Sequence, residues 1–303
     1  MKHMLRVIAI LLALVCLLVL IPSGAIVAQA EIIELDLKDK KGLPLQKDGY
    51  NLAEMTYEDP SVSVRIETGR IYETNYMVAH VKIANATQLR TAMSGSYYSP
   101  STHLGATMAK NVNAALAING DYFSARNNVG YMARMGKEYK NKCNGTYDVL
   151  VIDDQADLHI LKAPTKADMT AFKEQLEADG RAVVNGFTFG PGLVINGERQ
   201  TGFVDMDNAA LRCAQRMCLA QIGPLEYLCI SSEGPEDPGS KGLNLEQFAE
   251  LVSSFEGVQN AYNLDGGSSA TMVFNRNKVN APNNPKKRPL NDIIYFASAY
   301  RPD

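Results

Sequence analysis

Short apolar segments that alternate every second residue, joined by turn-forming pairs, recur along this chain and do most to limit its fold. SVSVRIE (61–67) and YMVAHVKI (76–83) put every other side chain on one face, the pattern of half-buried antiparallel strands. DVLVIDDQADLHIL (148–161) reads as a hairpin turning at Asp153 to Ala156. That turn is a solvated one rather than a calcium loop, because no Gly-centred twelve-residue ligand pattern follows. In VVNGFTFGPGLVINGE (183–198) the pair Asn196-Gly197 is a tight hairpin turn. AALAIN (114–119) is a continuous apolar run, QRMCLAQI (215–222) and LEYLCIS (225–231) form a strand pair, and NDIIYFASAY (291–300) closes the chain.

Helices are fewer. Ala106 to Asn113 is a short one. Thr165 caps a second, whose Met169, Phe172 and Leu176 share a face and which Gly180 stops. Asn244 with Gln247 opens a third, carrying Leu245, Phe248, Val252 and Phe255 and ending at Gly257. Strands joined by hairpins outnumber helices, so the expected fold is α+β: a mixed, largely antiparallel sheet with helices packed on it. It forms a single catalytic domain over residues 57–303, preceded by a charged, irregular lead-in, 31–56.

Residues 1–30 have the three parts of a secretory signal: Lys2 and Arg6, an unbroken apolar run from Val7 to Ile21, and Ala28-Gln29-Ala30 before Glu31. Cleavage after Ala30 is expected. An uncleaved anchor is the alternative, but the run is short of the roughly 20 apolar residues that span a bilayer. Either way the protein works outside the cytoplasm, and any membrane contact goes through this segment. The formal charge of −3, without a Lys/Arg run, gives no attraction to nucleic acid. The sequence leaves the oligomeric state open.

Export makes Cys143, Cys213, Cys218 and Cys229 relevant, and four thiols pair in three ways. If Gly223-Pro224 is the whole loop of its hairpin, Cys218 and Cys229 face each other; a four-residue loop, Gly223 to Glu226, puts Cys218 opposite Ser231. Buried free thiols are the plainer reading.

Chemistry is suggested where strands end. YNLDGGSSATMVF (262–274) is strand-like at both ends, yet its middle holds Asp265, Gly266, Gly267, Ser268 and Ser269. Glycines weaken a strand, so a bare backbone is wanted there, either for an Asx-turn or for a nest of N–H groups that binds an anion. Asn119-Gly120-Asp121 also ends a strand, as does Glu233-Gly234, and Arg216 is a lone cation in an apolar strand that needs a partner or an anionic ligand. Together they suggest a cleft along one rim of a sheet. Rival chemistries have little support: His80, His103 and His159 are scattered, and neither a GxSxG elbow nor a Walker motif occurs.

AINGDYF (117–123), FTFGPGLVINGE (187–198), QRMCLAQIG (215–223), GLNLEQFAELV (242–252), YNLDGGSSATMVF and the tail VNAP…KRPLNDIIYF, in that order, resemble the phosphodiester glycosidase family. The family commonly has Pro where Gln215 stands, Asp where Glu233 stands and Gly where Ser268 stands. The resemblance implies hydrolysis of a sugar-1-phosphodiester, such as an N-acetylglucosamine-1-phosphodiester, at its glycosidic bond. Bacterial members are often labelled exopolysaccharide-related.

The implied reaction expels a phosphomonoester whose second pKa is about 6, so it departs with little protonation. It needs an anion clamp and one carboxylate near C1, rather than the acid pair of ordinary glycosidases. The expected clamp is Arg216, Arg288 and the N–H groups of Gly266 and Gly267. The expected carboxylate is Asp265, as base or nucleophile, with Asp121 in reserve. Asn119, Asn280 and Asp292 orient sugar hydroxyls or the clamp, and Ser268 and Glu233 complete the substrate-binding set. No cofactor is implied. A second reading, a metal-dependent phosphodiesterase cleaving P–O, would use Asp121, Asp265 and Asp292 as oxygen ligands of a divalent metal. A third is a non-catalytic wall-polysaccharide binding module, against which stand the absence of Trp and the few aromatics that look exposed.

Overall fold

Three antiparallel sheets take up the alternating segments. The computed structural model describes residues 30–302 apart from 40, 127, 206–208 and 284–286, so the expected signal, but for Ala30, lies outside the described residues. The main body is Ile32–Tyr300. Its largest sheet has nine strands in the spatial order β13 (Glu198–Arg199), β12 (Gly192–Ile195), β16 (Asn260–Asn263), β14 (Arg216–Gly223), β15 (Glu226–Ser232), β4 (Thr74–Ile83), β3 (Val62–Ile71), β2 (Thr56–Asp59), β1 (Tyr50–Asn51). A five-stranded sheet runs β18 (Asn277–Lys278), β17 (Met272–Phe274), β6 (Ala114–Asn119), β19 (Asp292–Ala297), β5 (Leu89–Met93). A second runs β10 (Leu158–Leu161), β9 (Val149–Asp153), β11 (Val183–Phe187), β7 (Gly130–Arg134), β8 (Lys137–Lys142).

Alternation decides which face each strand buries. On β14 and β15, Met217, Leu219, Tyr227 and Cys229 point into the central core, while Cys218, Ala220, Leu228 and Ile230 point the other way, under a helix. That helix, α3 (Leu245–Ser253), has the expected box: Asn244 Oδ1 accepts from the Gln247 N–H at 2.9 Å, and Gln247 Oε1 accepts from the Asn244 N–H at 3.1 Å. Its Leu245, Phe248 and Val252 are fully buried, each worth about 1.5–3 kcal/mol of transfer free energy. Thr165 and Asp168 form the same box on α2 (Lys166–Ala178), which buries Met169 and Leu176. The short helix α1 is Gly105–Asn111. Asn196 and Gly197, with φ of 52° and 81°, make the predicted two-residue turn between β12 and β13.

Two expectations need correction. Pairing runs Leu219↔Cys229 and Cys218↔Ile230, because an irregularity between Gln221 and Gly223 offsets the hairpin by one residue. The two thiols therefore lie on opposite faces of the sheet and all four described cysteines are free. The Asp153 turn is solvated only in part: Gln155 is exposed, but Asp153 is buried, its Oδ1 accepts the N–H groups of Gln155 and Asp157 at 3.0 Å each, and its Oδ2 pairs with His159 and Arg181. The segment read as a lead-in is well tied to the sheets. Arg90 donates to the carbonyls of Asp36 and Asp39, Leu35 is buried, and Tyr50 packs its ring on Tyr57 and Phe274.

Antiparallel pairing also collects strand ends. On the large sheet β14 begins, and β15 and β16 end, at one rim; on the first five-stranded sheet β6 ends where β19 begins. The Asp265 N–H donates to the Gly120 carbonyl at 3.3 Å and joins the two rims.

The register yields a thiol prediction. In protein lacking residues 1–30, Ellman's reagent should find one reactive thiol in the native state, exposed Cys213, and four after unfolding, since burial raises the pKa of Cys143, Cys218 and Cys229. Two fewer thiols after unfolding without reductant would mean that a disulfide forms after all.

Candidate active site

Three consecutive residues, Gly120, Asp121 and Tyr122, hold the site together. The Gly120 N–H donates to the Asp292 carbonyl at 3.2 Å, and its own carbonyl takes the Asp265 N–H. A Cβ at Gly120 would lie 2.2–2.6 Å from the Asp292 carboxylate atoms, so only glycine lets that acid approach. Tyr122 is left-handed, with φ of 54°, and the Arg288 guanidinium stands 4.5 Å from the centre of its ring.

Asp121 and Asp292 are buried and share one cation, Arg134 at the end of β7. Arg134 Nη2 donates to Asp121 Oδ1 at 2.8 Å and to Asp292 Oδ2 at 2.7 Å, and Nε donates to the same Asp292 oxygen at 3.0 Å. Nη1 donates to the carbonyls of Ala133 and Gly186, and the guanidinium lies 3.9 Å from the Phe187 ring centre. The second oxygen of Asp121 accepts the Thr188 N–H at 2.9 Å. Burial raises the Asp292 pKa to about 6; Arg134 opposes the rise, and Asp121 and Asp265 add to it. Burial also lowers the Lys140 pKa to about 8, with Asp121 pulling the other way.

The glycine-rich loop follows Leu264. Asn119 Nδ2 donates to the Asp265 carbonyl at 2.7 Å, and Asn119 Oδ1 accepts from the Thr271 N–H at 3.0 Å, so this residue braces both ends of the loop. A Cβ on Gly266 would lie 2.6 Å from the Gln215 carbonyl. The Gly267 N–H donates to that same carbonyl at 2.9 Å, with φ of 56°. The glycines thus serve close backbone approach and a left-handed turn, and the Gly267 N–H is engaged within the protein rather than offered to an anion. Asp265 is half-buried and Ser268 is exposed.

Other expected residues are placed differently. Arg216 is buried, and its guanidinium donates to the carbonyls of Leu243 (3.0 Å), Ala209 (3.0 Å) and Arg212 (2.6 Å). It fastens a loop, which answers its need for partners without an external phosphate, and burial lowers its pKa to about 10. Asn280 Oδ1 accepts from the Met272 N–H at 2.6 Å, and Nδ2 donates to the Ala270 carbonyl at 3.0 Å, so it braces β17. Glu233 accepts from Asn75 (2.8 Å) and Ser240 (2.5 Å), and with Asn280 lines a separate cleft of about 490 Å³. Asp121, the reserve carboxylate, has both oxygens engaged.

Arg134 and Lys140 were missed by the sequence reading. The signal applied to Arg216, a lone cation in an apolar strand, was available for Arg134 in GYMAR, but not for Lys140, one of three lysines in KEYKNK. Among the described residues no three His, Cys, Asp or Glu side chains are grouped as metal ligands. The place between Asp121 and Asp292 is filled by the Arg134 guanidinium.

The family model for phosphodiester glycosidase matches residues 112–297, which takes in β6 through β19. Among solved structures the chain is similar to the catalytic domain of zebrafish N-acetylglucosamine-1-phosphodiester alpha-N-acetylglucosaminidase, auto-inhibited by its pro-peptide. That match has a TM-score of 0.62 and 17% identity, covering 88% of this chain and 98% of that one. A hypothetical protein from Synechocystis gives a TM-score of 0.51 and 15% identity, covering 78% of this chain and 62% of that one. At these identities the likeness is one of fold. No curated protein matches.

The shared guanidinium sets a stability prediction. Arg134→Met leaves two buried carboxylates unpaired and should cost about 3–5 kcal/mol at pH 7. The loss should shrink at pH 5, below the raised Asp292 pKa, where protonation relieves the unpaired charge. Wild-type Asp292 acts in the same sense: a folded pKa above the unfolded value of about 3.9 stabilises most below that value, and the contribution disappears as pH rises through about 6. Urea unfolding at both pH values checks this; an equal loss at each would make Arg134 a packing residue.

Proposed function

This chain belongs to the phosphodiester glycosidase family and is a hydrolase of sugar phosphodiesters, and on that premise we propose that it is exported and cleaves the C1–O bond of a sugar-1-phosphodiester, such as an N-acetylglucosamine-1-phosphodiester, in cell-surface or exopolysaccharide metabolism. The observation that carries this reading is the segment Gly120-Asp121-Tyr122. It joins Asp265, the buried Asp121–Arg134–Asp292 cluster and Arg288 along three residues of chain.

The acids divide the work by exposure. Asp121 and Asp292 are buried and paired, so they position; Asp265 is half-buried and on this reading is the acid that meets the substrate. Asp265, or a water it deprotonates, attacks C1. The C1–O bond electrons leave with the phosphomonoester, which needs little protonation because its second pKa is about 6. Arg288, held against Tyr122, is the cation available to that dianion, and Ser268 adds an exposed hydroxyl from the loop of Asp265. No cofactor enters this chemistry.

The metal-dependent reading with Asp121, Asp265 and Asp292 as ligands is disfavoured by Arg134, which already neutralises the space between two of those acids. Export is supported by the signal-like residues 1–30, and membrane contact is assigned to that segment. Among the described residues no helix is long and apolar enough to cross a membrane.

The deciding experiment uses Asp265→Asn and oxygen-18 water. The variant keeps the loop's shape, so substrate should still bind while turnover falls roughly 100-fold or more, the scale of a lost acid–base group. Wild-type product should carry the label on the sugar. Label on phosphate, with sensitivity to EDTA, would establish P–O cleavage at a metal instead. Equal binding of a wall polymer by both proteins, with no turnover of any sugar phosphodiester, would make the protein a binding module.

A further inference from the structure

Gln215 stands between two glycines at a joint of the chain. It precedes β14, whose ladder with β15 begins at Arg216↔Ser232, and on its other side Ala214 bridges Leu243. Neither pairing includes Gln215 itself. A Cβ at Gly266 would lie 2.6 Å from the Gln215 carbonyl oxygen, and one at Gly234 would lie 2.7 Å from the Gln215 Cγ. The carbonyl accepts the Gly267 N–H at 2.9 Å, so the direction of this one peptide sets where the loop of Asp265 turns.

The side chain of Gln215 is anchored by the turn that follows β15. In that turn the Asp237 N–H donates to the Gly234 carbonyl at 2.9 Å, and Asp237 Oδ2 accepts the Gly234 N–H at 2.7 Å. The same oxygen accepts from Gln215 Nε2 at 2.7 Å, and both residues are buried. A hydrogen bond to a carboxylate is stronger than one between neutral groups, and burial keeps water from competing for it. The arrangement is not a cheap one. Among the described residues Asp237 Oδ1, Gln215 Oε1 and Lys278 Nζ on β18 are buried without a hydrogen-bond partner. Burial holds the Lys278 amine below the usual lysine range, and Asp237 pulls it the other way, so this cation answers the carboxylate at longer range. Polar atoms left in this state cost stability, which apolar side chains of the same volume would not. What the costly group supplies is position.

Resting on the role proposed for Asp265, we infer that Asp237 is a positioning residue of this enzyme: through the Gln215 amide it holds the Gln215 carbonyl on the Gly267 N–H, and so fixes the Asp265 carboxylate for reaction at C1. Gly120 and Asn119 hold the loop at Asp265 itself, and the Asp237–Gln215 arm holds it two residues further on. Two anchors define the orientation of a short loop as well as its place. With one, the loop pivots.

Three variants test this. Asp237→Ala removes the arm, Gln215→Met removes it from the other end at similar volume, and Asp237→Asn keeps an oxygen that can accept from both Gln215 and Gly234. With the methyl ester of N-acetylglucosamine-1-phosphate as substrate, the first two should lower kcat and kcat/KM alike by roughly 10- to 100-fold, the scale of a misplaced catalytic group. Asp237→Asn should stay near wild type; a loss equal to that of Asp237→Ala overturns the inference. In the Asp265→Asn background Asp237→Ala should cost nothing further, because a carboxylate already removed cannot be misplaced. A merely destabilising change would lower the active fraction equally in both backgrounds, and that result also overturns it. Should Asp237→Ala not fold, Gln215→Met, which leaves Asp237 and Lys278 in place, carries the same tests. Hydrogen exchange over residues 262–274 is measured on the same proteins. The Gly267 N–H should exchange faster in Asp237→Ala and Gln215→Met than in wild type, and unchanged exchange overturns the inference. If wild type does not hydrolyse the ester, or Asp265→Asn keeps full turnover, the proposed reaction fails, and exchange alone decides whether Asp237 holds the loop.

Discussion

One guanidinium holds this site in place. Arg134 joins the end of β7 to Asp121 past the end of β6 and to Asp292 at the start of β19, so three strands from two sheets are fixed at a single group. Such a buried pair is not a strong source of stability, because desolvating three charges offsets much of their attraction. The raised pKa of Asp292 shows as much: burial and its acidic neighbours outweigh the pull of Arg134. What the cluster supplies is position. An apolar replacement could fill the volume, but it would not define where the Asp121 and Asp292 backbones stop, and those backbones place Asp265 and Arg288.

Glycine has a matching role. Gly120 allows the Asp292 carboxylate to lie against the chain, and Gly266 allows the loop to press on the Gln215 carbonyl. Both are close-approach glycines, so the bare backbone in YNLDGGSSATMVF serves protein–protein packing within one chain. The loop is thereby held from two sides, by Asn119 at the Asp265 carbonyl and by Gln215 at the Gly267 N–H. The reaction proposed for Asp265 needs this kind of fixed backbone, since a displacement of an ångström at the reacting atom is expensive in rate.

Much of this was legible in the sequence, and the limits have physical causes. Strand alternation, the boxes at Thr165 and Asn244 and the Asn196-Gly197 turn are local, and local chemistry decides them. The Cys218 to Cys229 register was not, because one extra residue near Ile222 slips the pairing, and the pattern of apolar residues on a strand buried on both faces does not oppose the slip. The DGG loop, Asn119 and Glu233 were expected along one rim of a sheet, whereas the structure joins the first two from different sheets and leaves Glu233 at a separate cleft; Arg216 was given an external partner although loop carbonyls supply contacts to it. Arg134 went unnoticed because its partners lie 13 and 158 residues away.

The same geometry explains how strand ends from two sheets can hold three acids in different settings. Two carboxylates are buried and share Arg134 within the protein, so one cation answers part of their charge before substrate arrives. The third, Asp265, is tied through its backbone N–H and carbonyl to Gly120 and Asn119, contacts that fix its position without using its side-chain oxygens. The backbone of Asp265 is thus fixed by Gly120 and Asn119, two residues outside its own loop, and a substitution at either should move the carboxylate without changing it.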